Sequence, residues 1–158
     1  MARIYLYDLS DAIIEALKDN EDLWGTTGKL KTIKDYEGDA EDYLNGVAQS
    51  ISNTPAALLL FNEGEDQKQN TNFSFQHPVS FSVMIISGDL RGGTNRKRAL
   101  LEFYELVKDT LAGMRLGLEM DPIEPKGWRV EFEGNRHSAL TAYFEAMFDY
   151  DIAYDFPS

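Results

Sequence analysis

The sequence predicts an α+β fold, a single domain in which a mixed, mainly antiparallel sheet packs against two or three helices. Segments with helical and strand-like hydrophobic periods occur in the order helix, strand, helix, strand, strand, helix, strand, strand. The chain contains no repeat, linker or low-complexity segment, and 43% of its 158 residues are hydrophobic, which is enough for one buried core. We therefore expect one domain spanning residues 1–158.

The chain starts with a predicted helix and a predicted strand. Between residues 8 and 18, apolar side chains recur at the three- and four-residue spacing of a helix. Asp8 or Ser10 is placed to cap this helix, because both side chains can accept a hydrogen bond from a first-turn N–H group. A Gly-rich turn then leads to segment 29–36, which we interpret as a short strand.

The next predicted elements are a second helix and a strand. Segment 38–52 places five apolar residues on one helical face, Tyr43, Leu44, Val47, Ala48 and Ile51. The apolar run 56–62 is bounded by turn residues, which is typical of a strand covered on both faces. The polar residues 63–72 that follow predict a loop.

A long strand and the strongest helix come next. From Phe73 to Ile85, apolar residues alternate with serine and glutamine, which predicts a half-buried strand. Pro78 cannot donate a ladder hydrogen bond, so we expect an edge or a bulge there. The helix has its apolar residues between 99 and 111, with Thr94 as its N-cap and an end near Gly113.

The chain ends in a predicted meander of two strands. The first begins at Trp128, and a turn at Gly134 and Asn135 leads to the second, residues 140–156. The alternation in this last strand covers roughly three times the common strand length, so we expect it to extend past its own domain. A long strand edge invites pairing with another chain, which favours self-association.

Composition excludes several classes of function. The formal net charge of -12 disfavours general binding to nucleic acid or to an anionic membrane. The absence of cysteine excludes disulfides and thiolate ligands. No run of eighteen apolar residues occurs, so we expect no membrane span.

The segment SGDLRGGTNRKRAL, residues 87–100, has the glycine spacing of a phosphate-binding loop but lacks the residues that bind phosphate and magnesium. Gly88 and Gly93 have the spacing of the motif G-x-x-x-x-G-K-[ST]. Thr94 and Asn95 replace the lysine that binds phosphate and the hydroxyl that binds magnesium. We therefore expect no magnesium-dependent nucleotide binding.

No other motif supplies a catalytic or metal-binding set. His77 and His137 are too few for a histidine-based metal site, and Trp24 stands where a calcium loop needs glycine. No nucleophile elbow and no Ser-His-Asp set occurs. We expect a protein that is not an enzyme and that uses no cofactor and no metal.

Two charged groups of residues are the candidate interface. The first, called here the basic segment, consists of Arg91, Arg96, Lys97 and Arg98. The second, called here the acidic stripe, alternates along the last strand and consists of Glu145, Asp149, Asp151 and Asp155. Cations in a first helical turn are destabilised by the helix dipole. An acidic partner bound there would turn this unfavourable interaction into a favourable one. The alternative to an interface is that the basic segment is a loop that contacts only solvent.

Three segments resemble the Mu-like phage and prophage proteins that act as tail terminators at the head-tail junction of contractile-tailed phages. They occur in the same order over nearly the whole chain. They are GDAEDY at 38–43, PAALLLFNEG at 55–64, and SGDLRGG at 87–93 followed by the amphipathic helix.

The resemblance implies a structural protein of the virion tail, assembled in the cytoplasm of the bacterial host. It implies a ring, hexameric in this family, that ends tail-tube polymerisation and contacts both the tube protein and a head-completion or neck protein. A different class also fits the composition, a small acidic binding protein of the immunity or inhibitor type that occludes a basic partner.

Overall fold

The computed structural model describes residues 6–25, 29–36, 55–64, 68–69, 74–88, 93–118, 120–133 and 137–151. In these ranges the elements are, in chain order, α1 (Leu6–Asp19), β1 (Thr32–Asp35), β2 (Ala56–Gly64), β3 (Lys68–Gln69), β4 (Ser74–Gly88), α2 (Gly93–Leu111), β5 (Glu124–Glu133) and β6 (His137–Asp151).

The described strands belong to one sheet in the order β1-β2-β4-β6-β5, and the short β3 also pairs with β4. The β1–β2 pair is parallel, whereas the other pairs are antiparallel. This arrangement confirms the predicted α+β class with its mixed, mainly antiparallel sheet. The helix predicted at 38–52 lies outside the described residues. The span of one domain over 1–158 stays a prediction.

One face of the sheet forms the main core together with both helices. Alternate residues of β4 and β6 are buried there, including Phe81, Val83 and Phe144. The rings of Phe81 and Phe144 stack with centroids 5.4 Å apart. Each large apolar side chain buried in this way stabilises the fold by about 1.5–3 kcal/mol.

Helix α1 has the predicted apolar face, with Leu9, Ile13 and Leu17 fully buried. The predicted caps are wrong, because α1 begins at Leu6 and places Asp8 and Ser10 inside the helix. The Ser10 hydroxyl is buried and donates a hydrogen bond to Asp35 at the end of β1. The Ser10 hydroxyl therefore bonds to another element of the fold and not to the N-terminus of its own helix.

Helix α2 also has the predicted apolar face, which buries Leu100, Phe103, Val107 and Leu111. It begins at Gly93, so Thr94 lies in the first turn and is not the N-cap that the sequence predicts. The predicted end is confirmed. Gly113 follows α2 with a φ of 76°, and its N–H donates to the Ile123 carbonyl at 2.8 Å. A residue with a β-carbon would be strained at this φ.

Strands β2 and β4 are buried on both faces at one end of the sheet. The apolar run in β2 is confirmed as a covered strand, since Ala56, Ala57, Leu58 and Leu59 are all buried. The expectation that β4 is only half-buried is wrong here. On its second face Ser82 is buried, and Ile86 joins a small apolar cluster with residues of β2 and β6. On that face Ile86 packs with Ala56 and Leu58 of β2 and Ala139 of β6.

Pro78 lies where the sheet tolerates a missing N–H group. On one side it is paired with Met147 of β6. On the other side the pairing with β2 ends at Val79, and the pairing with β3 begins at Gln76. No described residue of β2 or β3 is therefore paired with Pro78, as expected for a local edge.

Several other element boundaries differ from the predicted ones. Strand β3 lies within residues 63–72, which we predicted as a loop. Strand β5 begins at Glu124 and not at Trp128. Strand β6 begins at His137 and contains 15 residues. Residues 152–156 of the predicted last strand, and the turn at Gly134 and Asn135, lie outside the described residues.

Candidate subunit interface

The basic segment is attached to the start of α2. Lys97 and Arg98 are exposed in the first turns of this helix, and Arg96 precedes them. Because the helix begins at Gly93, its first turn contains Arg96 and no acidic residue, whereas Lys97 and Arg98 lie in the second turn. A cation in the first turn opposes the helix dipole by about 0.3–1 kcal/mol. Neither Lys97 nor Arg98 forms an ion pair with a described residue. Arg91 lies outside the described residues.

The acidic stripe follows β6 toward its C-terminal end. Glu145 is paired with Ser80 of β4, Asp149 with Gln76 and Asp151 with Ser74. In an antiparallel pair, alternate residues share a face, so these three acidic residues are placed on the same side of the sheet. Asp155 lies outside the described residues.

The strand register separates the two charged surfaces. His137, the first residue of β6, is paired with Gly88, the last residue of β4, from which the chain leads to α2. Glu145 is eight residues farther along β6 and Asp151 fourteen, so at about 3.4 Å per residue they lie roughly 27 and 48 Å from that end. Among the described residues, Lys97 and Arg98 therefore do not meet Glu145, Asp149 or Asp151 within one copy of the chain.

Strand β5 adds charges beside the acidic stripe that the sequence interpretation missed. Glu124 is paired directly with Glu145. Lys126 Nζ lies 2.9 Å from Glu124 Oε2, and this hydrogen bond, followed by the charges of Glu124 and Glu145, raises the pKa of Lys126. Glu145 thus has a cation nearby in its own chain. Only the register reveals this proximity, because Lys126 and Glu145 are far apart in the chain and are brought together by the pairing of β5 with β6.

A second polar contact connects β5 and β6. The Tyr143 hydroxyl donates to Glu131 Oε1 at 3.0 Å, and Arg129 Nε lies 4.0 Å from Glu131 Oε2. Burial raises the pKa of Tyr143, and the hydrogen bond to Glu131 raises it further. The phenol is held in its protonated form, which suits a structural contact between the two strands.

An exposed aromatic side chain lies on the outer strand β5. Trp128 is 50% exposed, and its ring centroid lies 6.0 Å from that of Tyr104 in α2. Lys108 Nζ lies 5.2 Å from the Tyr104 ring centroid. Exposed tryptophan and tyrosine are enriched where proteins contact one another. The sequence pattern does not reveal this surface, because the exposure of Trp128 depends on the outer position of β5 in the sheet.

The described residues contain no group of three or more His, Asp or Glu side chains arranged to hold a metal ion. His77 is paired with Phe148, and His137 with Gly88. In the part of the chain that the structure covers, no helix is long and apolar enough to cross a membrane.

The sequence matches the protein family described as Bacteriophage Mu, Gp37 over residues 5–153. No curated protein matches the chain. The family match includes every described helix and strand and both charged surfaces except Asp155. Because it spans nearly the whole chain, this protein belongs to the Bacteriophage Mu Gp37 family and is a phage protein of the structural and morphogenesis class.

Proposed function

We propose that this protein is a tail terminator, a ring that stops tail-tube polymerisation and provides the surface to which the neck of the head binds. The observation that carries this proposal is the separation of Lys97 and Arg98 from Asp149 and Asp151 at opposite ends of one sheet. Opposite charges that cannot meet within one copy are suited to a contact between copies.

The proposed contact is head-to-tail. Each copy carries both surfaces, so every copy can bind one neighbour through its basic segment and another through its acidic stripe. Such a heterologous contact closes into a ring when the rotation between neighbours divides a full turn. Six copies are the number that the family resemblance implies.

The proposed role is structural and needs no cofactor. The described side-chain contacts at the surface are pairs such as Lys126–Glu124 and Tyr143–Glu131, which join neighbouring strand positions. The proposed partners are the tail tube protein on one face and a head-completion protein on the other. The net charge of -12 supports a channel through which DNA passes, because acidic walls do not retain phosphates.

Deleting the gene from its phage or prophage tests the proposal. We expect tails with irregular, overlong tubes, or tails that do not join heads, in electron micrographs of induced lysates. Supplying the protein from a plasmid should restore tails of uniform length and infectivity. Normal, infectious particles from the deletion would show that the protein is not the tail terminator.

A further inference from the structure

Helix α2 carries a stripe of side chains that leads toward strand β5. Lys97, Leu101, Tyr104 and Lys108 are spaced by four, three and four residues, which places them on one side of the helix. Lys97 is exposed, Leu101 and Lys108 are half-buried, and Tyr104 is buried. The stripe therefore begins with an exposed cation and continues along the border between the core and the solvent.

Trp128 of β5 extends this stripe into an exposed surface. It is 50% exposed, and its ring centroid lies 6.0 Å from that of Tyr104. Lys108 Nζ lies 5.2 Å from the Tyr104 ring centroid and 3.0 Å from Glu105 Oε2. Two cations flank these aromatic rings, which suits a partner segment with aspartates on both sides of an aromatic residue. The name aromatic surface is used here for Lys97, Leu101, Tyr104, Lys108 and Trp128.

The chain itself contains a segment of matching composition. Residues 151–156 read DIAYDF, with Asp151 and Asp155 on either side of Tyr154, and no lysine or arginine follows Arg136. Asp151 is the last residue of β6, and residues 152–158 lie outside the described residues. The segment therefore combines the acidic charge and the aromatic side chain that suit the aromatic surface.

The spacing along the two segments also agrees. Lys97 and Tyr104 are seven residues apart in a helix, which is about 10 Å along its axis. Asp151 and Tyr154 are three residues apart, a separation of up to about 11 Å in a fully extended chain. Lys108 follows Tyr104 by one helical turn, and Asp155 directly follows Tyr154. Each aspartate can thus meet a lysine while Tyr154 contacts Trp128.

Residues 151–156 cannot reach Trp128 of their own copy. Trp128 is paired with Ala142, which lies nine residues before Asp151 in β6. At about 3.4 Å per residue, this separation is roughly 31 Å along the strand. Tyr154 lies at most about 11 Å from Asp151, so a Tyr154 that contacts Trp128 belongs to another copy.

We propose that the aromatic surface binds residues 151–156 of a second copy of this chain, with Tyr154 against Trp128. Asp151 then lies at Lys97, and Asp155 lies near Lys108. This proposal rests on the head-to-tail contact proposed above, and it names the segment of the neighbouring copy that binds along α2. Binding of a tail tube or neck protein at this surface is an outcome that would overturn it.

Site-specific photo-cross-linking identifies the occupant. The photoreactive amino acid p-benzoylphenylalanine replaces Tyr154, and the protein is irradiated both as concentrated free protein and in purified tails. Mixing isotope-labelled and unlabelled copies shows whether two different copies are joined. We expect joined copies whose linked peptides, identified by mass spectrometry, contain Trp128 or residues 101–108.

The matched control places the same photoreactive residue at Tyr7, which is 61% exposed at the start of α1. It should give no peptide linked to the aromatic surface. Two results would overturn the proposal. One is the absence of joined copies in both free protein and tails, and the other is linkage of position 154 to a different protein or to another part of the chain.

A double-mutant cycle tests whether Trp128 and Tyr154 touch. Trp128→Ala and Tyr154→Ala should each weaken self-association about tenfold in sedimentation experiments, because each removes a central aromatic contact. The two changes together should also cost about tenfold, because both remove the same contact. Met114→Ala, at a position that is 47% exposed just after α2, is the matched control and should have no effect.

A loss of about a hundredfold in the double variant, or wild-type association of either single variant, would refute a direct contact. Melting temperatures verify that the variants are folded, and Trp128→Phe, which retains an aromatic ring, should recover part of the affinity. If free copies do not associate, the same variants are compared by the yield of joined copies in purified tails, with the photoreactive residue at Phe156.

The outcome is independent of the gene deletion. Joined copies together with normal tails in the deletion would support this contact and remove the tail-terminator role. Overlong tails in the deletion, with no joined copies in free protein or tails, would support the tail-terminator role and overturn this contact.

Discussion

Phe81 and Trp128 are two large aromatic residues with opposite environments. Phe81 is fully buried, stacks on Phe144 and lies 6.4 Å from the Phe61 ring in an edge-to-face arrangement. We expect Phe81→Ala to lower the free energy of unfolding by about 3–5 kcal/mol, because it leaves a cavity that its neighbours cannot fill.

Urea denaturation measures this loss, and Trp128→Ala is the control. Trp128 is 50% exposed, so its truncation removes less buried surface and should cost clearly less. If the Trp128 variant lost as much stability as the Phe81 variant, the assignment of the core to the β4–β6 face would be wrong.

Tyr143 gives the fold a dependence on alkaline pH. Its pKa in the folded protein lies above the ordinary value of 10.0, chiefly because of burial and then because of its bond to Glu131. The folded state therefore holds the phenolic proton more tightly than the unfolded state. It follows that this contribution to the free energy of unfolding is fully present below the ordinary pKa of tyrosine. It is lost as the pH rises through the pKa of Tyr143 in the folded protein.

Unfolding measured between about pH 9 and pH 11.5 should show a shallower decline in stability for Tyr143→Phe than for the wild type. Glu131→Gln should flatten the decline only in part, because burial, the larger cause, remains. Identical pH profiles for Tyr143→Phe and the wild type would contradict the raised pKa.

At the scale of single residues, the sequence predicted burial well in the helices and less well at the sheet edge. Leu9, Ile13 and Leu17 follow from helical spacing alone, because one face of a helix on a sheet is always covered. The exposure of Trp128 could not be predicted in this way, because it depends on β5 being an outer strand, and the hydrophobic period of one segment does not determine strand order.

Among the elements, helix α2 and strand β6 carry the proposed contact. Exposed ion pairs contribute only about 0–1 kcal/mol each, so single charge changes should have little effect. Reversing several charges should have a larger one. We expect Arg96→Glu with Arg98→Glu to weaken self-association in sedimentation experiments, and raised salt to weaken it in the wild type.

Adding Asp149→Lys and Asp151→Lys to the reversed α2 should partly restore assembly. The now acidic start of α2 would then face a basic strand in the neighbouring copy. The matched control reverses Glu102 and Glu105 to lysine on the exposed side of α2, away from its first turn. Assembly of the reversed protein equal to wild type at low salt would mean that the basic segment is only solvated.

Elements were predicted more reliably than their ends. The periods of α2, β2 and β4 are long enough to define each element, and the structure confirms all three. The caps at Ser10 and Thr94 were wrong. A serine or threonine can bond either to its own helix or to a distant group, and for Ser10 the fold supplies Asp35.

For the whole molecule, the net charge of -12 predicts weak binding to duplex DNA. We expect no retardation of duplex DNA in gel-shift experiments at physiological salt, because phosphates are repelled and few cations are available to replace counterions. The Asp149→Lys, Asp151→Lys variant, which is less acidic, serves as the control for residual binding. Tight binding by the wild type would argue against a channel wall that lets DNA pass freely.

The sequence by itself determined the fold class, the apolar faces of α1 and α2, and the alternation of charge along β6, because these depend on residues close together in the chain. Only the tertiary structure decided that Lys97 and Asp151 lie at opposite ends of the sheet, that Glu145 lies beside Lys126, and that β4 and β6 pair along their whole length. Register and strand order set these relations. They arise from packing between segments far apart in sequence, so the hydrophobic period of a single segment cannot predict them.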